Sequence, residues 1–270
     1  MNLIKAAHDA IAITSEKEYE AGGRKIKLPD LDYSAVEVIT PDAGKALLEE
    51  ALPIPEGGKM CRIEVTAEDS FQAAYRLDKA LVLNFANAHH AGGGFMLGAK
   101  AQEEALCRCS TLYASITSDK AAEMYRWNNT HISAVESDYM LLSPDVCVFR
   151  DNGCEPLDEP FMAAVITAPA PNRRGAAVLT SKKTIQETFL RRIRIILRLA
   201  AKQGYKDIVL GAWGCGAFGN DPVTVAGCFR TALIDDGLGK AFDAVVFAVC
   251  GNQEGKNPKA FREVFRDVTE

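Results

Sequence analysis

Gly92, Gly93 and Gly94 are followed, across residues 95–101, by Gln102, Glu103 and Glu104. Glycine lets a chain approach a ligand closely and turn its N–H groups inward at φ values other residues avoid, which suits phosphate oxygens. A carboxylic acid held away from water can hand a proton to a glycosidic oxygen. Both features within one loop point to cleavage of a sugar carried on a diphosphate. A second glycine-bearing stretch runs Gly214, Cys215, Gly216, Ala217, Phe218, Gly219, Asn220. It follows an apolar run and precedes Pro222, and such strand-to-helix junctions are where α/β sheets bind ligands. On its own the stretch reads equally well as a plain turn with a core phenylalanine.

A helix starting at Gln102 puts both glutamates in its first turn, where anions are favoured by the dipole and by unpaired N–H groups. An isolated pair there would be ordinary helix decoration; the spacing from the glycines argues for chemistry. Neighbouring helical residues point about 100° apart, so the two carboxylates take different tasks. Phe95 either shields a reacting sugar from water or anchors the loop. Asn87 and Asn172 stand where strands give way to loops and are also ordinary turn residues.

The glycine triplet and Gln-Glu-Glu at this spacing, with Asn84-Phe85-Ala86-Asn87 ahead and the stretch 214–220 behind, resemble the poly(ADP-ribose) glycohydrolase signature in its compact bacterial-type branch. The resemblance implies a macrodomain-like three-layer α/β/α sandwich with a mixed central sheet and an N-terminal helical extension. It implies hydrolysis of ribose–ribose bonds in poly(ADP-ribose), or of bonds on ADP-ribosylated proteins, with ADP-ribose as product. Glu104 matches the family's general acid/base, Glu103 a partner that holds ribose hydroxyls, Gln102 a brace for the loop, and Asn87 a contact to the distal ribose. The backbone of Gly92, Gly93 and Gly94, and the segment Gly214, Cys215, Gly216, Ala217, Phe218 and Asn220, would carry the diphosphate, with Phe218 packing on the nucleotide. A non-catalytic ADP-ribose-binding macrodomain and a mono-ADP-ribosyl hydrolase are the alternatives. Retention of both glutamates favours the enzyme. Ala91 replaces a proline common in bacterial relatives, and no equivalent of the animal enzymes' tyrosine-bearing clasp is visible.

Composition narrows the setting. A formal net charge of −5 argues against a general nucleic-acid binder relying on counterion release. The eight cysteines form no C-x-x-C pair and have no histidine at zinc-like spacing, and the adjacent His89 and His90 diverge without a third ligand. Reduced thiols, no metal and no cofactor are expected. No run approaches the roughly 20 apolar residues of a membrane span, and Lys5, His8 and Asp9 precede any apolar run long enough for a signal peptide. The expectation is a cytoplasmic monomer. Gly92-x-Gly94-x-x-x-Gly98 with Tyr75 and Lys79 fits short-chain dehydrogenase letters in the wrong order, and glycine patterns alone are weak.

The elements that must hold these residues follow from periodicity. Helices are predicted over 2–17 and 41–52, then 70–77, 102–116, 180–203 and after Pro222 and Pro258. Strands are predicted at 36–40, 61–66, 80–85, 146–149, 162–167, 208–212 and 245–249. The alternation implies α/β, and strands apolar throughout imply helices on both faces of the sheet. The turn-like residues 53–58 suggest a boundary between an accessory region, 1–58, and a catalytic domain, 59–270. With 48% hydrophobic residues there is ample material for the core.

Overall fold

The computed structural model describes residues 2–52, 58–77 and 79–269. Helices are α1 (Leu3–Glu16), α2 (Pro41–Glu49), α3 (Ser70–Tyr75), α4 (Gln102–Cys109), α5 (Leu112–Ile116), α6 (Ala122–Thr130), α7 (Lys182–Lys202), α8 (Pro222–Arg230) and α9 (Lys256–Val264). Strands are β1 (Glu18–Ala21), β2 (Arg24–Lys27), β3 (Glu37–Ile39), β4 (Arg62–Thr66), β5 (Leu81–Ala86), β6 (Met140–Arg150), β7 (Pro156–Pro169), β8 (Asp207–Leu210) and β9 (Ala244–Ala248).

Seven strands form one mixed sheet in the order β3-β6-β7-β5-β8-β9-β4, flanked by helices. Pairings of β3 with β6 and β6 with β7 are antiparallel, whereas β5 with β8, β8 with β9 and β4 with β9 are parallel. Parallel neighbours need crossover connections, and strands covered on both faces should be apolar throughout. β9 is buried at every position and β5 at all but Phe85.

Internal packing divides the chain into two units. The first comprises residues 1–39, 84–132 and 139–169. In it α1 packs on α4 and α5, and Lys17, in the left-handed region at φ 56°, ends α1. The β1–β2 hairpin then turns at Gly22 and Gly23. The second unit comprises residues 40–83, 133–138 and 170–270. Its α7 buries Ile185, Phe189, Ile193, Ile196 and Ala200, a stripe at helical spacing. Asp221 caps α8 by accepting the Thr224 N–H, with Pro222 in the first turn. Phe229, Phe247, Phe261 and Phe265 stack into one aromatic cluster.

Several sequence expectations shift. The helix predicted over 102–116 is two helices. At the break Ser110 Oγ donates to the Leu106 carbonyl at 2.8 Å. Thr111 N–H donates to the Cys147 carbonyl, and Cys147 N–H to Thr111 Oγ1, both at 3.0 Å. A tertiary partner in β6 thus captures the backbone groups a continuous helix would need. The N-terminal extension holds the β1–β2 hairpin as well as helices and the predicted strand β3, the left-handed Lys17 ending α1 before the glycines are reached. α6 and the β1–β2 hairpin were not foreseen, β6 and β7 run longer than expected, and α9 starts two residues ahead of Pro258. Residues 53–57 of the expected boundary turn lie outside the described residues.

One buried charge fixes a loop in the second unit. Arg192 is fully buried, and its Nε donates to Asp138 Oδ1 at 2.8 Å while Nη2 donates to the carbonyls of Val135 at 2.6 Å and Glu136 at 3.1 Å. Arg191 grips the same carboxylate at 2.6 and 3.1 Å. Removing the carboxylate leaves a buried cation uncompensated, whereas removing Arg192 leaves Asp138 paired with Arg191. Asp138→Ala should therefore cost about 3–5 kcal/mol, and Arg192→Met distinctly less, as read by urea unfolding. Equal costs would show that the asymmetry of pairing is not what matters.

Candidate active site

The site in the first unit is built over residues 84–104. β5 carries Asn84, the one polar residue in an apolar strand, into the interior. Its Nδ2 donates to Thr167 Oγ1 at 3.1 Å and to Glu103 Oε1 at 3.4 Å. At the start of α4, Gln102 Oε1 accepts the Phe85 N–H at 2.9 Å, bracing the helix against the strand it follows. Glu103 Oε2 accepts the Asn87 N–H at 2.8 Å and Oε1 the Gly92 N–H at 3.2 Å. Glu104 Oε1 accepts the Gly94 N–H at 2.9 Å. Glu104 Oε2 is buried and has no hydrogen-bond partner.

Both carboxyls are removed from water, Glu103 being 3% and Glu104 7% exposed. They share a wall. Gly93 lies at φ 55°, and a Cβ built on it would stand 2.5 Å from Glu104 Oε1 and 3.2 Å from Glu103 Oε2. Only glycine both takes this left-handed conformation readily and leaves room for the two oxygens. Burial pushes the Glu103 carboxyl up to about 8, helped by the charge of Glu104 and opposed by the N–H donors of Asn87 and Gly92 and the Asn84 amide. An acid raised to this range retains its proton at neutral pH.

The first glycine loop is thus used differently from the sequence reading. The Gly92 and Gly94 N–H groups go to the glutamates, and that of Gly93 to the His90 carbonyl at 3.0 Å. Two of the three N–H groups expected to meet a diphosphate hold the carboxylates. Phe95 is buried against Tyr113, with ring centroids 4.6 Å apart, so it anchors the loop. Asn87 Oδ1 accepts the N–H groups of His89 and His90 at 2.8 and 3.0 Å, turning the chain. Asn129 clamps the turn to α6, with Oδ1 3.1 Å from His89 Nδ1 and Nδ2 donating to the His89 carbonyl at 3.0 Å.

In the second unit, residues 214–220 form a stapled loop. Asn220 is buried, and its Nδ2 donates to the carbonyls of Gly214 at 3.0 Å and Pro171 at 2.8 Å. Gly214 lies at φ 70°, and a Cβ there would stand 2.7 Å from Ala170 Cβ and from Asn220 Nδ2. Cys215 is buried, its thiol pushed up to about 12 by burial. Gly216 and Ala217 are exposed and Phe218 and Gly219 half-buried. Gly216 has an ordinary φ and open space where a Cβ would point, so it needs no special dihedral. The Arg174 side chain lies over Gly219, with Nε 2.9 Å from the position of a Cβ. No sequence pattern marks Arg174, whereas the lone polar Asn84 inside an apolar strand is a signal that could have singled that residue out. Asn172 Oδ1 accepts the Arg174 N–H at 3.1 Å in a turn.

Comparison with known proteins matches residues 7–151 to the family model "Microbial-type PARG, catalytic domain". The structure is similar to that of poly(ADP-ribose) glycohydrolase from Thermomonospora curvata, with 37% identity, a TM-score of 0.90, and coverage of 97% of this chain and 99% of that one. The same enzyme bound to the inhibitor ADP-HPD is similar at 36% identity and a TM-score of 0.87, covering 97% and 98%. The poly(ADP-ribose) glycohydrolase of Deinococcus radiodurans in complex with ADP-ribose is similar at 39% identity and a TM-score of 0.81, covering 91% and 100%. None of the curated proteins compared gives a match.

The raised Glu103 carboxyl has a consequence for stability. Its folded pKa, about 8, lies above the unfolded value near 4.3, so between these values the folded chain binds more protons than the unfolded one. Stability contributed by this group is full below about pH 4 and is lost as pH rises towards 8. Glu103→Gln, which removes the titration and keeps the shape, should gain stability relative to the parent between pH 5 and 8 in urea melts. A constant difference across that range would show that Glu103 is not raised.

Proposed function

Because this chain belongs to the microbial-type poly(ADP-ribose) glycohydrolases, we propose that it hydrolyses ribose–ribose bonds of poly(ADP-ribose) with Glu104 as general acid/base and releases ADP-ribose. It is a glycosidase acting on poly(ADP-ribose). The observation that carries the assignment of Glu104 is its buried, unpartnered Oε2 beside a Glu103 whose two oxygens are both satisfied. A proton donor must have an oxygen uncommitted to the protein, and Glu104 has one. The proton that the buried carboxyl pair retains is delivered through Glu104 Oε2 to the departing ribose oxygen, and an oxocarbenium-like sugar develops. The resulting carboxylate then takes a proton from the attacking water. Glu103, held by Asn87, Gly92 and Asn84, holds ribose hydroxyls, and Asn87 contacts the distal ribose.

The roles of the loops follow from which N–H groups are engaged. Gly92, Gly93 and Gly94 serve the substrate indirectly, by positioning the carboxylates, with Gln102 bracing them and Phe95 closing the loop. The exposed backbone of Gly216 and Ala217, kept in shape by Gly214, Cys215 and Asn220, takes the diphosphate, and Phe218 packs on the nucleotide. No described helix is long and apolar enough to cross a membrane. We also propose a monomer working in the cytoplasm on polymer or ADP-ribosylated proteins; eight free thiols suit a reducing compartment. Residues 1–58 act as an accessory to a catalytic domain, 59–270, with α1 packed on α4.

Two variants test this. Glu104→Gln keeps size and hydrogen bonding but has no transferable proton. It should lose at least nine-tenths of polymer cleavage, followed by chromatography of released ADP-ribose, while ADP-ribose affinity stays within about tenfold. A parent protein that leaves polymer intact but releases single ADP-ribose units from proteins would make it a mono-ADP-ribosyl hydrolase. Gly216→Val should fold, since its Cβ meets nothing within 4 Å. It should nevertheless bind ADP-ribose roughly thirtyfold more weakly in calorimetric titration, about 2 kcal/mol. A well-folded Gly216→Val variant with parental affinity would remove the diphosphate from this loop.

A further inference from the structure

Two of the eight thiols stand together, away from the glutamates. Cys109 is the last residue of α4, and Cys154 sits in the turn of the β6–β7 hairpin. One oxygen joins them: the Asp151 carbonyl accepts the Cys109 Sγ–H at 2.9 Å and the Cys154 N–H at 2.8 Å. The turn is rigid. Asp151 N–H donates to the Glu155 carbonyl at 3.0 Å, Glu155 N–H donates back to Asp151 Oδ1 at 2.9 Å, and Cys154 is held in the left-handed region at φ 62°.

The charges of two cations, Arg108 and Arg150, act on the Cys154 thiol. Arg108 is buried, with Nη1 donating to the Ala99 carbonyl at 2.7 Å. Arg150 is 11% exposed, and its Nε–H is buried with no hydrogen-bond partner. Its only carboxylate neighbour within ion-pair range among the described residues is Asp9, 3.9 Å from Nη2. One buried and one largely covered guanidinium with so little anionic compensation favour a thiolate beside them. When the Cys109 S–H turns from the Asp151 carbonyl to the Cys154 sulfur, that hydrogen bond, with the charges of Arg108 and Arg150, brings Cys154 down to about 6 against the opposing effect of burial. Burial pushes Cys61, Cys147 and Cys228 up to about 11 instead. Cys154 is half-buried among the exposed residues Asp151, Asn152, Gly153 and Glu155, within reach of a small oxidant.

We propose that Cys154 is a peroxide-reactive thiolate and that Cys109 resolves its oxidised form into a Cys109–Cys154 disulfide. The thiolate sulfur attacks one oxygen of a hydroperoxide; an S–O bond forms, the O–O bond breaks, and hydroxide or alkoxide leaves and takes a proton from solvent. Sulfur gives up two electrons and the peroxide is reduced. Cys109 sulfur then attacks the Cys154 sulfenic acid; the S–S bond forms, the S–O bond breaks, and the departing hydroxide leaves as water with the Cys109 proton.

Competition alkylation of the native chain by iodoacetamide at pH 7, read by peptide mass spectrometry, tests the first half. Cys154 should react at least about tenfold faster than the exposed Cys250, whose thiol burial and Asp69 push up. A rate equal to or below that of Cys250 overturns the proposal. For the second half, stoichiometric hydrogen peroxide followed by non-reducing digestion should yield one cross-linked peptide pair containing Cys109 and Cys154, released by dithiothreitol. In Cys109→Ser the reaction should stop at a sulfenic acid on Cys154 that dimedone traps. A persistent sulfenic acid in the parent, with no cross-link, would overturn the role of Cys109.

Discussion

Two carboxyl groups buried next to each other at the start of one helix set the terms for the first unit. Out of water each needs donors, and side by side they resist a second negative charge. The chain meets the first demand with backbone N–H groups from Asn87, Gly92 and Gly94. It meets the second by leaving Glu103 inclined to keep a proton. The glycines follow from this. A side chain at Gly93 would collide with Glu104 Oε1, so the triplet is needed for the acids themselves before any substrate arrives.

The loop 214–220 in the second unit solves a different problem. Asn220 Nδ2 holds the Gly214 carbonyl and Gly214 allows the tight approach, while in the exposed middle the Gly216 carbonyl accepts the Gly219 N–H at 3.2 Å and no side chain crowds Gly216. Glycines of similar appearance therefore divide into those that shape the chain and one that merely leaves room. Only the structure separates them, since φ and neighbours differ while the letter does not.

Where burial and pattern coincide, the sequence was sufficient. The apolar runs of β5, β8 and β9, the long helix α7 and the start of α8 at Pro222 were all legible, as were the glutamates at a helix start. What escaped notice depended on distant partners. The helix over 102–116 breaks because β6 takes the backbone of Thr111, and the hairpin β1–β2 exists because Lys17 adopts a left-handed turn that local propensity does not encode. The destination of the Gly92 and Gly94 N–H groups was likewise hidden, because a donor fit for phosphate is equally fit for a carboxylate. Arg174 carries no pattern at all.

The bonds that hold the two acids are short in sequence. Glu103 and Glu104 are bound by groups 10 to 19 residues away, all within 84–104, and only the Asn84 bond to Thr167 reaches further. Closing loops of that length costs little chain entropy, and contacts of low separation form quickly. The bonds that shape the two acids are thus set mainly within the segment itself, while Asn129 and Thr167 tie it to the rest of the unit. In hydrogen-exchange terms, the amides of Asn87, Gly92 and Gly94 should open and close together, as one cooperative group.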